Sequence, residues 1–157
     1  MASTTRSAPT LSDAVRHAEA RLQVATPGEG FTEITADAAA FLRDIAAGAG
    51  VLTVFCRHTS ASLTIQENAD PDVRTDLLTA LDSLAPRGFG WVHDTEGPDD
   101  MPAHVRTLLS DTSLSIPVSQ GRMALGTWQG LYLIEHRDRP HRREVVLAFT
   151  GTISHMA

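Results

Sequence analysis

The stretch VLTVFCR, residues 51–57, is an apolar run rich in β-branched residues, and SLTIQ, residues 62–66, follows it after a short polar connection. Both segments have the composition and length of β-strands. The next segment, residues 68–72, predicts the start of a helix, because Asp70 can cap its first turn and Pro71 suits the first helical position. This part of the chain is therefore predicted to form two strands followed by a helix.

On the N-terminal side, residues 1 to about 10 are Ser, Thr, Ala and Pro in the main, which predicts a flexible tail. A loosely alternating segment, Leu11 to Thr26, predicts a first strand, and the domain proper is expected to span residues 11–157. A helix is predicted over Ala38 to Ala47, with Thr35 as its N-cap.

That first helix is predicted to end at Gly48 and Gly50. The helix after Asp70 carries apolar residues at helical spacing, which predicts a buried stripe of Val73, Leu77, Leu78 and Leu81. A loop is expected from Pro86 to Asp100, and a short helix over Met101 to Ser110, whose apolar stripe is Met101, Val105 and Leu108.

The last third of the chain predicts β-structure. Turn-forming residues separate four apolar segments, namely Leu114 to Val118, Arg122 to Leu125, Trp128 to His136 and Arg143 to Gly151. Strands in both halves with helices between them indicate a single α+β domain rather than a regularly alternating βαβ fold.

The charge of the chain restricts its function. The net charge is −6, which argues against a nucleic-acid partner because phosphate neutralisation needs a basic surface. All 13 basic residues are arginines, which excludes a Schiff-base lysine and a phosphate-loop lysine. The glycines at positions 48 and 50 lack the pattern of a dinucleotide loop, so no nucleotide cofactor is expected.

The cellular location of the protein is predicted from the sequence features that it lacks. No apolar stretch approaches the roughly 20 residues that span a bilayer. Met1 to Thr10 carries no apolar signal-peptide core. A cytoplasmic protein without a membrane partner is expected.

Three histidines are the candidate metal ligands. His58 ends the strand at residues 51–57, His104 lies on the apolar side of the third predicted helix, and His93 stands beside Asp94 in the long loop. Each histidine alone is better explained as a structural residue. Together, three imidazoles with a nearby carboxylate suit zinc or another first-row divalent ion.

The string GTWQG, residues 126–130, is the most unusual in the chain, because two glycines flank an aromatic residue. Gln129 is placed to hydrogen-bond a ligand, whereas Trp128 is expected to pack in the core. A basic cluster between the last two strands is either a solvated hairpin loop or an anion site; it comprises Arg137, Arg139, His141, Arg142 and Arg143.

Three blocks of sequence resemble a known family. They are RHTSASLTIQENADPDV at residues 57–73, EGPDDMPAH at residues 96–104, and the segment from Ser113 through GTWQGL to Leu131. In this order they are similar to the YjbQ-like proteins, and the similarity extends from about residue 15 to 152.

The resemblance implies an α+β fold with an antiparallel β-sandwich-like body, a few helices and assembly as a homotrimer. It also implies a shared pocket, which a trimer can place between subunits. The residues implied in or near that pocket are His58, Asn68, His93, His104, Gln129 and Glu135.

Members of this family carry the label secondary thiamine-phosphate synthase enzyme. The implied reaction joins a pyrimidine-methyl diphosphate to a thiazole phosphate and releases pyrophosphate. Arg57, the amides around Thr59 and Ser60, Trp128 and a histidine-bound metal would then bind the phosphorylated substrate and stabilise the leaving group.

Two functions remain as hypotheses from the sequence. One is a metal-assisted transferase acting on a small phosphorylated molecule, with His58, Asn68, Gln129 and Glu135 as its catalytic residues. The other is a trimeric protein that binds a small ligand or a metal without catalysis, which the lack of a nucleophile motif favours.

Overall fold

A computed structural model describes residues 3–8, 10–12 and 16–153. The elements in chain order are β1 (Ser3–Arg6), β2 (Thr10–Ser12), β3 (His17–Thr26), β4 (Gly30–Glu33), α1 (Thr35–Asp44), β5 (Ala47–Cys56), β6 (Ala61–Glu67), α2 (Pro71–Leu84), α3 (Asp100–Leu109), β7 (Ser113–Ser119), β8 (Arg122–Met123), β9 (Gln129–Glu135) and β10 (His141–Ile153). The predicted α+β class is confirmed.

Sheet A contains seven strands in the described part of the chain, in the order β1-β3-β10-β5-β7-β8, with β2 also pairing with β3. Its central strand, β10, pairs antiparallel with β3 on one side and β5 on the other. Successive side chains of a strand point to opposite faces, so one face of β3 is buried throughout. That face carries the apolar residues expected from the alternation: Ala18, Ala20, Leu22 and Val24.

Sheet B is smaller, with the described strands in the order β4-β9-β6, all antiparallel. Its inner residues share one apolar core with sheet A and α1. Phe41 and Leu42 of α1, Leu52 of sheet A, and Leu63 and Leu133 of sheet B are all fully buried there. The two sheets, with α1 packed against their shared core, form the expected β-sandwich-like body.

One edge of sheet B is covered by the chain that follows α3. The backbone N–H of Leu63 donates to the Asp111 carbonyl at 2.6 Å, and the N–H of Asp111 donates to the Leu63 carbonyl at 3.1 Å. This isolated bridge lies on β6 and joins the end of α3 to the sheet.

The predicted tail over residues 1–10 is wrong for Ser3–Arg6, which pairs antiparallel with β3 from Ser3 opposite Ala25. Strand pairing satisfies backbone groups and needs no apolar side chains, so a polar composition does not exclude it. The single strand predicted over Leu11 to Thr26 is two strands, β2 and β3, which pair with each other. Residues 13–15 of that prediction lie outside the described residues.

The ends predicted for the first helix also differ. Ile34, not Thr35, is the N-cap, and the Thr35 hydroxyl instead accepts a hydrogen bond from the Leu131 N–H at 2.9 Å. The chain turns at Ala46, whose φ is +50°, so the helix ends before the glycines that were predicted to close it. Gly48 and Gly50 belong to β5.

The start of α2 is confirmed, because the Asp70 side chain accepts a hydrogen bond from the Asp72 N–H at 2.9 Å. Its predicted buried stripe is only half-buried, and no residue of α2 is fully buried. In α3 the predicted stripe is wrong, since Leu108 is 84% exposed. The buried side of α3 instead carries polar residues, including Asp100 and Arg106, which pair with carboxylates and arginines of the body.

Among the described residues, no helix is long and apolar enough to cross a bilayer.

Two glycines offer a matched stability test. A methyl group on Gly50 would lie 2.7 Å from the Gly151 Cα and overlap the Thr150 carbonyl, whereas one on Gly88 meets nothing within 4 Å. We expect Gly50→Ala to lower the free energy of unfolding by about 2–4 kcal/mol, because backbone atoms cannot move aside as a flexible side chain can. Gly88→Ala should change it by less than about 0.5 kcal/mol. Urea unfolding measures both, and equal losses would contradict the close approach.

Candidate functional site

The densest group of metal-binding side chains among the described residues is formed by His93, Asp100 and His104, whose ligand atoms all lie within 4.8 Å of one another. His93 Nε2 is 2.7 Å from Asp100 Oδ2, and His104 Nε2 is 3.4 Å from the same oxygen. Asp100 and His104 are four residues apart in α3 and so lie on one face of the helix. His93 reaches them from the preceding loop.

The tautomer of His104 is fixed by the backbone. Its Nδ1 lies 2.9 Å from the Thr59 carbonyl oxygen, which can only accept, so Nδ1 carries the proton. A neutral His104 ring therefore presents an Nε2 lone pair to the carboxylate of Asp100. A histidine whose other nitrogen donates to a carbonyl is the usual arrangement of a metal ligand.

Arg137 holds the acidic start of α3 in place. Its Nε donates to Asp99 Oδ2 at 2.9 Å, its Nη1 pairs with Asp100 Oδ1, and its Nη2 donates to the Glu96 carbonyl at 2.8 Å. Burial raises the pKa of Asp99, but hydrogen bonds from the Asp138 N–H and from Arg137 outweigh it and keep the pKa below its ordinary value. Asp100 is thus an oriented carboxylate with one oxygen, Oδ2, left to face the histidines.

These donors fit a divalent ion. Two imidazoles and one carboxylate are a common ligand set for zinc and for other first-row metals, with positions open to water or substrate. The outer side of the cluster is accessible, since the side chains of His93 and His104 are 44% and 33% exposed.

The predicted convergence of three histidines is wrong for His58. Its Nε2 accepts a hydrogen bond from the Glu144 N–H at 2.8 Å, so the lone pair expected to bind a metal is occupied, and Asp100 takes the third position in the cluster. Burial, followed by the charge of Arg143, keeps the pKa of His58 below its ordinary value. His58 is a neutral ring that connects the end of β5 to β10.

Glu135 is fully buried and belongs to an ion pair inside the molecule. Arg143 donates to both of its oxygens, at 2.7 and 2.6 Å, and the Thr26 hydroxyl donates at 2.8 Å. Burial raises the pKa of Glu135, but these donors outweigh it and keep the pKa below its ordinary value. Arg143 also donates to the Ser60 hydroxyl at 3.0 Å. Arg143 is therefore not part of a solvated hairpin loop.

Asn68, Trp128 and Gln129 lie at the opposite end of sheet B. The register of β6 against β9 places Glu67 opposite Gln129 and Ala61 opposite Glu135. At roughly 3.3 Å per residue, the six steps from Gln129 to Glu135 span about 20 Å. Within one chain, the residues implied by the family resemblance therefore form two groups.

The group at the Gln129 end is open to solvent. Trp128 is 63% exposed, so its predicted place in the core is wrong. Its carbonyl accepts a hydrogen bond from the Asn68 N–H at 3.0 Å. Gln129 Oε1 accepts from the Gly126 N–H at 2.8 Å, which holds the amide side chain over the turn.

Of the predicted substrate-binding side chains, the Arg57 guanidinium pairs with Glu144 and the Ser60 hydroxyl accepts from Arg143. The Thr59 carbonyl accepts from His104 and, at 3.2 Å, from the Thr107 hydroxyl. Arg57 remains about half exposed. The Thr59 carbonyl therefore orients the His104 ring.

Two residues of this region were missed by sequence reasoning. Asp100 has a local signal, because the spacing Asp-x-x-x-His in a helix places both side chains on one face. His136 has none. Its Nε2 lies 2.8 Å from the Ser62 hydroxyl, which accepts from the Ser110 hydroxyl at 2.6 Å, so strand and helix residues far apart in sequence build this buried chain.

His136 should make the protein sensitive to acid. Burial, followed by the charge of Arg106, lowers its pKa from 6.5 to about 4. Between those values the unfolded chain takes up a proton that the folded chain does not, so stability falls as the pH drops from 6.5 to 4. The loss is about 3 kcal/mol, at 1.36 kcal/mol per pH unit.

The matched variant is His136→Gln, which keeps a hydrogen-bonding group for Ser62 but does not titrate. We expect the difference in unfolding free energy between wild type and variant to shrink as the pH falls through this window. Urea unfolding at a series of pH values measures it, and parallel curves for the two proteins would contradict the assignment.

Comparison with known proteins agrees with the blocks found in the sequence. The chain is 50% identical over 133 residues to UPF0047 protein sll1880 from Synechocystis sp., an alignment covering 84% of this chain and 90% of that protein. It is 35% identical over 128 residues to UPF0047 protein YugU from Bacillus subtilis, covering 80% and 93%.

Solved structures show the same fold. The conserved hypothetical protein TT1486 from Thermus thermophilus matches with a TM-score of 0.71 and 41% identity, over 80% of this chain and 96% of that one. A YjbQ/UPF0047 family protein from Clostridium acetobutylicum matches with a TM-score of 0.73 and 35% identity, over 81% and 98%. A family profile described as UPF0047 protein YjbQ-like covers residues 20–152. The chain therefore belongs to the YjbQ-like UPF0047 family.

Proposed function

We propose that this protein is a metal-dependent enzyme acting on a small phosphorylated molecule, with a divalent ion bound by His93, Asp100 and His104. The observation that carries the proposal is the contact between His104 Nε2 and Asp100 Oδ2 at 3.4 Å. With Nδ1 protonated, both atoms of this contact are acceptors in the neutral ring. A divalent ion between them would bind both lone pairs.

A pocket of about 330 Å³ adjoins the cluster through Arg137 and reaches Arg139 and His141. Its acidic lining residues are Glu96, Asp99 and Asp138, of which Asp99 pairs with Arg137 and Asp138 with Arg87. Arg137 is neutralised by Asp99 and Asp100. Arg139 has no hydrogen-bond or ion-pair partner for its side chain in the described part of the chain, so its guanidinium is the cation available to a substrate phosphate. The phosphate would thus lie between Arg139 and the metal.

The reaction implied by the family resemblance suits this arrangement. Joining a pyrimidine-methyl diphosphate to a thiazole phosphate requires charge stabilisation on the departing diphosphate, which a divalent ion supplies when bound. Thr59 and Arg137 would keep His104 and Asp100 oriented during the reaction. Arg139 would bind phosphate oxygens.

Assembly as a homotrimer forms part of the proposal. Asn68 and Gln129 are about 20 Å from Glu135 along β9. A single site containing the whole implied set would therefore need a second copy of the chain to bring its Asn68 and Gln129 to the cluster of the first. A cytoplasmic location is also proposed, as expected from the sequence.

Metal content tests the ligand assignment. In untagged protein we expect one divalent ion per chain by elemental analysis, and its loss in His104→Ala and Asp100→Asn, because each removes one of three ligands. His17→Ala is the control, since His17 bonds to Thr150 outside the cluster. His58→Ala should also retain the ion. Full metal occupancy in both ligand variants would overturn the site.

Activity tests the substrate. With the two phosphorylated substrates, we expect pyrophosphate release that a chelator abolishes and zinc restores. Arg139→Gln should raise KM about tenfold, because losing one charged hydrogen bond weakens binding by about that factor. Arg142→Gln should leave KM unchanged. Arg142 is exposed in the same hairpin and is the matched control. Substrate binding without turnover would contradict the enzyme hypothesis and support the alternative of a non-catalytic ligand-binding protein.

A further inference from the structure

A second concave site lies away from the metal cluster. A groove of about 690 Å³ runs between the C-terminal end of α1 and the β7–β8 hairpin. Its residues contribute nothing to the cluster around Asp100 or to the pocket beside Arg137. An inference about this groove is therefore independent of the proposed function.

The groove combines an apolar floor with positive charge. Its accessible apolar lining comprises Ala39 of α1 and Met123 and Leu125 of the hairpin region. Two arginines, Arg43 and Arg122, complete the lining, and none of the described lining residues is acidic. Neither guanidinium has a hydrogen-bond or ion-pair partner within residues 3–8, 10–12 and 16–153. Two unpaired arginines beside an apolar surface favour a ligand with a negative head and an apolar body.

The backbone around the groove is strained. Ala46 and Gln120, with φ of +50° and +52°, are the non-glycine residues with positive φ in the described part of the chain, and both line the groove. Gly121 follows with φ of +73°, and its N–H donates to the Gly48 carbonyl at 2.8 Å. Strained residues of this kind cluster at ligand sites, where the surrounding structure fixes them.

We propose that this groove binds a small amphipathic anion, with its carboxylate or phosphate head between Arg43 and Arg122 and its apolar body against Ala39 and Met123. The two arginines supply charge-assisted hydrogen bonds to the head. Contact with the apolar floor removes the body from water. Carboxylate and phosphate share this chemistry, and separate probes distinguish them.

The test measures binding of octanoate and octyl phosphate to the full chain by calorimetry, with octyltrimethylammonium as the probe of opposite charge. We expect both anions to bind with one site per chain, and the cation not to bind there. The double variant Arg43→Gln/Arg122→Gln should weaken anion binding at least about tenfold, the effect of losing charged hydrogen bonds. Arg142→Gln, which removes an equal charge outside the groove, should leave it unchanged.

A second variant separates groove binding from general charge attraction. Ala39→Trp fills the floor without changing the charge and should abolish binding of both anions, while circular dichroism confirms that the chain remains folded. A tighter complex with one anion identifies the head group. The proposal is overturned if neither anion binds, if Arg142→Gln weakens binding as much as the double variant, or if Ala39→Trp binds as well as wild type.

Discussion

The antiparallel register between β6 and β9 is the constraint on which the placement of the candidate residues depends. With Ala61 opposite Glu135 and Glu67 opposite Gln129, the register fixes which residues share an end of sheet B. The Ser60 backbone, Glu135 and Arg143 meet at one end, and the loop after β5 then reaches His104 from there. A shift of this register by one residue would exchange the two faces of β9 and move Leu131 and Leu133 out of the shared core, so the core and the site are fixed by the same pairing.

Much of the fold could be predicted because its signals are local. The apolar run of β5 and the Asp70 cap of α2 each depend only on residues close to them in sequence, and both were predicted correctly. The buried face of α3 could not be predicted, because Arg106 faces inward only where Glu29 and Asp82 are brought to it by the fold. A polar residue on the inner side of a helix is indistinguishable in sequence from one on the outer side.

In the candidate site, too, some residues could be predicted from the sequence and others depend on the tertiary fold. His93 and His104 were found by residue type, and the structure places them beside each other, with ring centroids 5.6 Å apart. Asp100 was missed because the predicted helix began at Met101, which left Asp100 in the loop and hid its four-residue spacing from His104. His136 was missed because its partner, Ser62, is 74 residues away along the chain. Residue type indicates which side chains can bind a metal, and only the tertiary fold determines which of them meet.

The bridge between Leu63 and Asp111 has a consequence for association between molecules. β6 is an edge strand of sheet B, and an open edge offers unpaired N–H and C=O groups with which a strand of another chain can pair. By taking both backbone groups of Leu63, the segment after α3 interrupts that row near its middle. The same connection that anchors the helix bearing His104 thus protects the sheet from adding strands of another chain, so loosening α3 would expose an aggregation-prone edge.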